Sequence, residues 1–271
     1  VLDTKAPSLT AEIPWTAFSP DGDGNQDNIP VSIKSCTDDV WTAEVKSVAG
    51  ATVKKITWNN KKTGFVWDGK DESGNLAKDG TYNIVISSTD AAGNSFKTEL
   101  SNIILDNRET KVYLTAENEG ISPNNDKVLD TQKFAIKLSV PENISNWTFM
   151  ICKENGEAVY TLTEKDSASV PSTISWNGAD ATGKVCEGTF FGTITVTYAK
   201  GNIISGMSSP FICTATAPQL KVQTAPQFFS PDNDGVDDDL FIKLSGTTKA
   251  KITSWSFTIT DPKGKAFWKT S

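Results

Sequence analysis

The sequence contains no histidine. That removes the commonest general base and the commonest transition-metal ligand, which argues against an enzyme while leaving carboxylate chemistry open. Basic residues are outnumbered, and the net charge of −7 argues against a nucleic-acid or anionic-membrane surface. No apolar run approaches the roughly 18 residues that mark a membrane span. The N-terminus has no basic flank followed by an apolar stretch, so no signal peptide is expected in this segment. Cysteine is scarce: Cys36 lies early, while Cys152, Cys186 and Cys213 lie late. They form no repeated pair, so no disulfide framework is expected. No stretch carries the 3.6-residue periodicity of an amphipathic helix. Hydrophobic residues at 37% against charged residues at 22% nevertheless indicate a globular chain rather than a disordered one.

What the sequence does have is repetition. Phe18-Ser19-Pro20-Asp21-Gly22-Asp23-Gly24 returns as Ile121-Ser122-Pro123-Asn124-Asn125-Asp126-Lys127, and again as Phe229-Ser230-Pro231-Asp232-Asn233-Asp234-Gly235. The serines are 103 and then 108 residues apart, which is the pitch of a whole domain. Other landmarks keep their order. Trp41, Trp147 and Trp255 are each followed nine residues later by Gly50, Gly156 or Gly264. Trp67-Asp68-Gly69 matches Trp176-Asn177-Gly178, Gly80-Thr81-Tyr82 matches Gly188-Thr189-Phe190, and Gly93-Asn94 matches Gly201-Asn202. Between the landmarks, apolar residues alternate with polar ones, as in Trp41, Ala43, Val45 and in Phe134, Ile136, Leu138. Period two, with turn clusters between the runs, predicts short strands with one buried face. The expected fold is all-β: tandem antiparallel β-sandwiches of immunoglobulin or fibronectin III type.

The expected organisation is 1–7 as the closing strand of a preceding repeat, 8–107 and 108–217 as two full repeats, and 218–271 as the first half of a third. Residues 228–271 lack the Trp-Asp-Gly and Gly-Thr-Tyr landmarks. That half is expected to be mobile, docked on the second repeat, or completed by another chain. The repeated tryptophans are expected in the core. Trp67 and Trp176 are expected to begin strands. Trp15 and Trp58, which lack counterparts, and Trp268 are the candidates for an exposed sugar platform.

The landmark series resembles the FlgD-like immunoglobulin-like repeat, named after the flagellar hook-capping protein. The motifs that carry the resemblance are Phe18 to Gly24, the central Trp41, Trp67-Asp68-Gly69-Lys70-Asp71, Asp79-Gly80-Thr81-Tyr82 and Ala92-Gly93-Asn94. It is weaker in the second repeat, where Asn124, Asn125 and Lys127 interrupt the acidic-glycine pattern. The resemblance implies a non-catalytic spacer or adhesion module outside the cytoplasm, as in tandem arrays of large bacterial envelope proteins, including spirochaete proteins with an OmpA-like terminal domain. The function expected from it is a rigid spacer or protein-interaction scaffold at the cell surface, outer membrane or periplasm. Its partners would be adjacent repeats and envelope proteins or glycans, with a carbohydrate-binding module as the alternative.

One constellation resembles a site. Asp21, Asp23, Asn25 and Asp27 place oxygens at alternate positions, and Asp232, Asp234, Asp237 and Asp238 (with Asp239 adjoining) do so in the third repeat. Hard cations such as calcium take 6–8 oxygens at 2.3–2.6 Å, and glycines let a loop wrap one. The spacing is not that of an EF-hand. The competing expectation is an Asx-rich turn whose carboxylates cap backbone N–H groups. Asp68, Asp71 and Glu72 read the same two ways, as a glycosidase-type acid pair or as turn residues. The second repeat, with Asn177 and Asp180, favours the turn.

Overall fold

The computed structural model describes residues 3–59, 61–165, 169–249 and 251–271. All regular structure among them is β. The first unit comprises β1 (Leu9–Glu12), β2 (Ala17–Phe18), β3 (Ile29–Cys36), β4 (Val40–Ser47), β5 (Thr52–Asn59), β6 (Gly64–Trp67), β7 (Gly80–Thr89) and β8 (Ser95–Leu105). The second comprises β9 (Val112–Ala116), β10 (Gly120–Ile121), β11 (Gln132–Leu138), β12 (Ile144–Lys153), β13 (Ala158–Lys165), β14 (Thr173–Trp176), β15 (Gly188–Tyr198), β16 (Ile203–Met207) and β17 (Phe211–Cys213). Four strands follow: β18 (Gln219–Ala225), β19 (Phe241–Thr247), β20 (Phe257–Thr260) and β21 (Ala266–Thr270).

Each unit is a two-sheet sandwich. In the first, sheet β1-β3-β6 faces sheet β2-β8-β7-β4-β5; in the second, β14-β11-β9 faces β10-β17-β15-β12-β13. Pairing is antiparallel except where β2 meets β8 and β10 meets β17, two-residue parallel contacts that follow Thr16 and Glu119. The long β8 of the first unit corresponds to β16 plus β17 in the second. There Pro210 cannot donate to a ladder, and the Ser208 hydroxyl accepts the Gly192 N–H at 2.9 Å across the break.

Period-two alternation positions the cores. Trp41, Ala43 and Val45 of β4 and Tyr82, Ile84 and Ile86 of β7 are buried, as are Trp147, Phe149 and Ile151 of β12. They join two separate hydrophobic clusters, one drawn from Leu9 to Leu105 and one from Leu114 to Cys213. Trp67 and Trp176 are fully buried too, but each ends its strand rather than beginning it. The reason is the turn behind it. Trp67 Nε1 donates to the Lys70 carbonyl at 3.1 Å, and Trp176 Nε1 to that of Ala179 at 2.7 Å. The glycine after each has φ near +75°, and a Cβ on Gly178 would lie 2.6 Å from Pro123. The Trp-Asp-Gly and Ser-Pro motifs therefore recur together because they pack on each other.

Trp58 is not an exposed platform. It is 7% exposed, lies against Phe65 at a centroid distance of 5.7 Å, and has the Lys62 ammonium over its ring. Lacking a counterpart in the next repeat did not mean lacking a core position. Trp58→Ala is therefore expected to destabilise the first unit by about 3 kcal/mol, measured by denaturant unfolding. A loss below about 1 kcal/mol, the size usual for surface sites, would contradict this placement.

The third segment differs. Its strands form two separate two-stranded sheets, β18-β19 and β20-β21. Trp255 is 54% exposed and precedes β20, whereas its counterpart Trp41 is fully buried. Phe229 and Phe267 are likewise exposed. Two-stranded ribbons leave an apolar face in water.

Candidate functional site

The acidic loops are built first as turns. In the first unit both Asp27 oxygens accept backbone N–H groups, from Gly22 at 2.7 Å and Gly24 at 3.0 Å. Asp130 does the same for Asn124, Asn125 and Lys127, and Asp238 for Asn233 and Gly235. The residue before that aspartate is left-handed in all three loops: Gln26, Leu129 and Asp237, with φ of 48°, 54° and 50°. The second loop, carrying Lys127, thus keeps the shape with fewer carboxylates. A carboxylate receiving backbone donors is a strong cap.

The loops of units one and three also gather charge. One carboxylate oxygen each from Asp21, Asp23 and Asp27 lie within 4.8 Å of one another, and so do those of Asp232, Asp234 and Asp238. Asp237 and Asp239 do not belong to that cluster. Asn25 contributes its backbone N–H, which donates to Asp23 Oδ1 at 2.7 Å.

What the sequence alone did not reveal is that the first acidic loop is docked on the second unit. The turn Ala199–Asn202, between β15 and β16, lies against it. Asn202 Nδ2 donates to Asp21 Oδ2 at 2.8 Å and to Asp23 Oδ2 at 3.1 Å. Gln26 Nε2 donates to the carbonyls of Ala17 at 2.7 Å and Ala199 at 3.1 Å, bridging the two units. Gly201 has φ of +99°, and a Cβ there would sit 2.9 Å from the Asn25 carbonyl oxygen. Its repeat counterpart Gly93 has open space at the same position. Gly201 is therefore required twice over, by its backbone and by the close approach.

The linker is clamped beside this contact. Lys200, 2% exposed, donates from Nζ to the carbonyls of Asp106 at 3.0 Å and Arg108 at 2.6 Å and lies 3.5 Å from Asp106 Oδ1. Arg108 grips the same carboxylate through Nε at 3.0 Å and Nη2 at 2.8 Å, and reaches Glu142 at 3.2 Å. Such a bidentate pair fixes geometry as well as charge. The Gly-Asn landmark was legible as a turn. Lys200 was not, because its counterpart in the first repeat is Ala92.

Burial alone would raise the Asp106 carboxyl, but the hydrogen bonds from Arg108 and the charges of Lys200 and Arg108 outweigh it and hold the group below its ordinary value. Asp21 behaves alike: burial raises it, and bonds from Asn202, Asp23 and Ser19, with the charge of Lys200, lower it further. A carboxyl lowered in the folded state stabilises fully above its unfolded value and loses that contribution as pH falls through the folded one. The joint is therefore expected to hold at neutral pH and to loosen below the ordinary carboxylate range of about pH 4. Small-angle scattering across pH 7 to pH 2.5 checks this. An interunit geometry that loosens with rising pH instead would contradict it.

The remaining candidates resolve as local structure. Asp71 Oδ1 accepts the N–H of Ser73 and Asn75, Asp68 Oδ1 that of Lys70, and Glu72 that of Lys55. Trp15 is half-buried and donates Nε1 to the Asn28 carbonyl at 2.9 Å. Trp268 is 48% exposed, beside Phe257. The four cysteines are free thiols, and burial pushes the Cys213 thiol up to about 12. No helix among the described residues is long and apolar enough to cross a membrane.

Several solved structures are similar. One is a tetra-tandem repeat from the extending region of a large adhesion protein, at 20% identity and a TM-score of 0.34, covering 97% of this chain and 62% of that one. The chain thus spans less than two thirds of that structure's length. Another belongs to a 1.5-MDa bacterial ice-binding adhesin, at 15% identity and a TM-score of 0.34, covering 79% and 68%. A third holds the FN1–FN3 domains of chicken CNTN1, at 8% identity and a TM-score of 0.33, covering 76% and 62%. No curated protein matches the chain. Residues 17–92, which hold the acidic loop, the core tryptophans and the Gly-Thr-Tyr strand, match the family model of the FlgD Ig-like domain.

Proposed function

We propose that this chain is a non-catalytic spacer or scaffold from a longer, extracytoplasmic bacterial multi-repeat protein, in which each repeat is a rigid bead and the joints set the array's direction. The observation that carries the reading is the joint between the first two units. Asn202, Gln26 and Gly201 hold the acidic loop, and Lys200 and Arg108 hold the linker. A linker whose carbonyls and carboxylate are taken up by neighbouring side chains transmits orientation instead of behaving as a flexible tether. Adjacent repeats are thus the first partners, and proteins or glycans at the envelope are the further ones.

The buried Trp58 and the tied-down Trp15 offer no exposed aromatic face for a sugar in the first unit, which leaves the exposed Trp268 beside Phe257 as the one candidate of the three for the carbohydrate-binding alternative. Further support for a non-catalytic role is that the paired acids of the Trp-Asp-Gly turn are spent on backbone N–H groups.

Gly201→Val tests the reading. A side chain there meets the Asn25 carbonyl and a positive φ, so the two units should each stay folded while their relative orientation broadens. The expected result is an unchanged circular dichroism spectrum with a wider distribution of radii of gyration by small-angle scattering. An unchanged distribution would mean that the dock does not set the joint.

A further inference from the structure

We propose that the cleft between the second unit and strands β18–β21 is the seat of a Gly-Asn hairpin turn from the second half of the third repeat, supplied by the same chain, and that this seat selects a turn without the lysine of the first joint. The proposal deepens the spacer reading and rests on it, since it names what the second joint holds.

The cleft has a volume of about 640 Å³, room for several side chains rather than for an ordered water or two. Asn124, Leu129, Thr214, Thr216, Thr248 and Lys251 line it. Each of these six has a counterpart at the first joint. Asp21 and Gln26 hold the matching places in the first acidic loop, and Asp106 and Arg108 in the first linker. Val140 and Asn143 stand seven and four residues before Trp147, as Thr248 and Lys251 stand before Trp255. All six counterparts bond the one turn 198–202. Asp21 accepts from Asn202, Gln26 donates to the Ala199 carbonyl, and the Asp106 and Arg108 carbonyls accept from Lys200. The Val140 carbonyl accepts the Tyr198 hydroxyl at 2.6 Å, and the Asn143 carbonyl the Ala199 N–H at 2.8 Å. At the first joint these groups surround a turn; at the second they surround a cleft.

The strands point the same way. β12 pairs with β13 on one side and β15 on the other, and β4 likewise with β5 and β7. Their counterpart β20 pairs with β21 alone among the described residues. In the second unit Tyr198, at the end of β15, lies opposite Ile144 at the start of β12, so the strand that fills this edge runs straight into the turn. A strand added to β20 in that register would end beside Ile252, the counterpart of Ile144, and deliver its turn into the cleft. It would also cover Trp255, which is exposed where Trp147 is buried.

The seat differs from the first in charge. Lys200 is buried against the Asp106 carboxylate, whereas Thr214 stands in the place of Asp106 and spends its hydroxyl on Glu187. Asn124 likewise replaces Asp21, and Lys251 adds a positive charge. Glu119 lines the cleft too, but it holds the place of Thr16, whose carbonyl bonds the Ile104 N–H of β8 and not the turn. A lysine buried here would lack its ion-pair partner, the costly case for a buried charge. The first repeat's own turn, Asp90-Ala91-Ala92-Gly93-Asn94, has the form this seat favours: alanine at the place of Lys200 and an acid to meet Lys251.

The test extends the full chain after Ser271 with a second copy of residues 58–105, whose turn carries Ala92, or of residues 164–213, whose turn carries Lys200. With the first, amides of residues 118–122, 214–216 and 257–260 are expected to exchange at least about tenfold more slowly than in the unextended chain. With the second the gain should be smaller, and Lys200→Ala in the appended copy should restore it. A cyclised hairpin of residues 86–98, added to the native full chain, is a probe that needs no folding of the third unit. It should shift the NMR signals of residues 118–129 and 214–216 and leave residues 21–27, whose seat is filled, unmoved. A cyclised hairpin of residues 194–206 should bind about tenfold more weakly, the cost of the unpaired lysine. Shifts with the first hairpin support the seat even where an extended chain fails to order. Ordering of residues 257–260 without protection at 118–122 and 214–216 would overturn it. So would silence from both hairpins, or an equal response to lysine and alanine turns. A native chain that sediments as a dimer, with the cleft protected, would give the seat to a second copy and overturn its assignment to the same chain. Any of these, with the first two units still fixed in orientation, would leave the spacer reading standing.

Discussion

Truncating Trp147 to alanine is expected to cost the second unit about 3–5 kcal/mol, the usual range for emptying a core aromatic site. Trp147 is 2% exposed at the centre of β12, in one cluster with Phe149, Ile151 and Val196. Its Nε1 has no hydrogen-bond partner, so the loss is one of packing and buried area alone. Trp147→Phe, which keeps an aromatic ring and deletes the unpartnered N–H, is accordingly expected to cost much less. For a domain of about 100 residues each kcal/mol moves the midpoint by roughly 4–8 °C, so the alanine variant should lower the second unit's transition by roughly 12 °C or more. Calorimetry on the full chain checks it, and equal shifts for the two variants would show that the indole's polar edge, rather than its bulk, holds the site.

Lys200→Met is expected to cost about 3 kcal/mol, within the range seen when one partner of a buried ion pair is removed. The methionine keeps an apolar stem of similar length, so the loss isolates the ammonium. Without it, the carbonyls of Asp106 and Arg108 lose their donor, and Asp106 keeps only Arg108. The cost should appear as lost coupling: the two units are expected to unfold together in part in the native chain and to separate into independent transitions in the variant. A double-mutant cycle with Asp106→Asn is expected to show coupling between the two sites, since residues in contact are not additive. Additive losses would mean that Lys200 acts through its carbonyl bonds alone.

Much of the fold was legible in the residues, because period-two alternation is a local signal. Trp41, Ala43 and Val45 needed no partner strand to declare their buried face. The same logic found the Asx turns, since an aspartate carboxylate accepts the backbone N–H two residues further on from local geometry alone. Trp58 was misjudged because repeat matching identifies only the core positions that two units share. It packs on Phe65 inside the first core. The joint was illegible for a different reason. Asn202 and Asp21 are 181 residues apart, and Lys200 matters only once Asp106 stands beside it. Gly201 was visible as a turn glycine, but its second requirement, space for the Asn25 carbonyl, comes from another unit altogether.

The central claim is that the first two units are held in one orientation by the loop-on-turn contact and the Lys200–Asp106–Arg108 clamp. Residual dipolar couplings measured on the full chain at neutral pH test it most directly. A single alignment tensor fitting residues 9–105 and 112–213 together, and splitting into two in Lys200→Met/Gly201→Val, is the predicted result. Two tensors of different magnitude in the native chain would contradict the account.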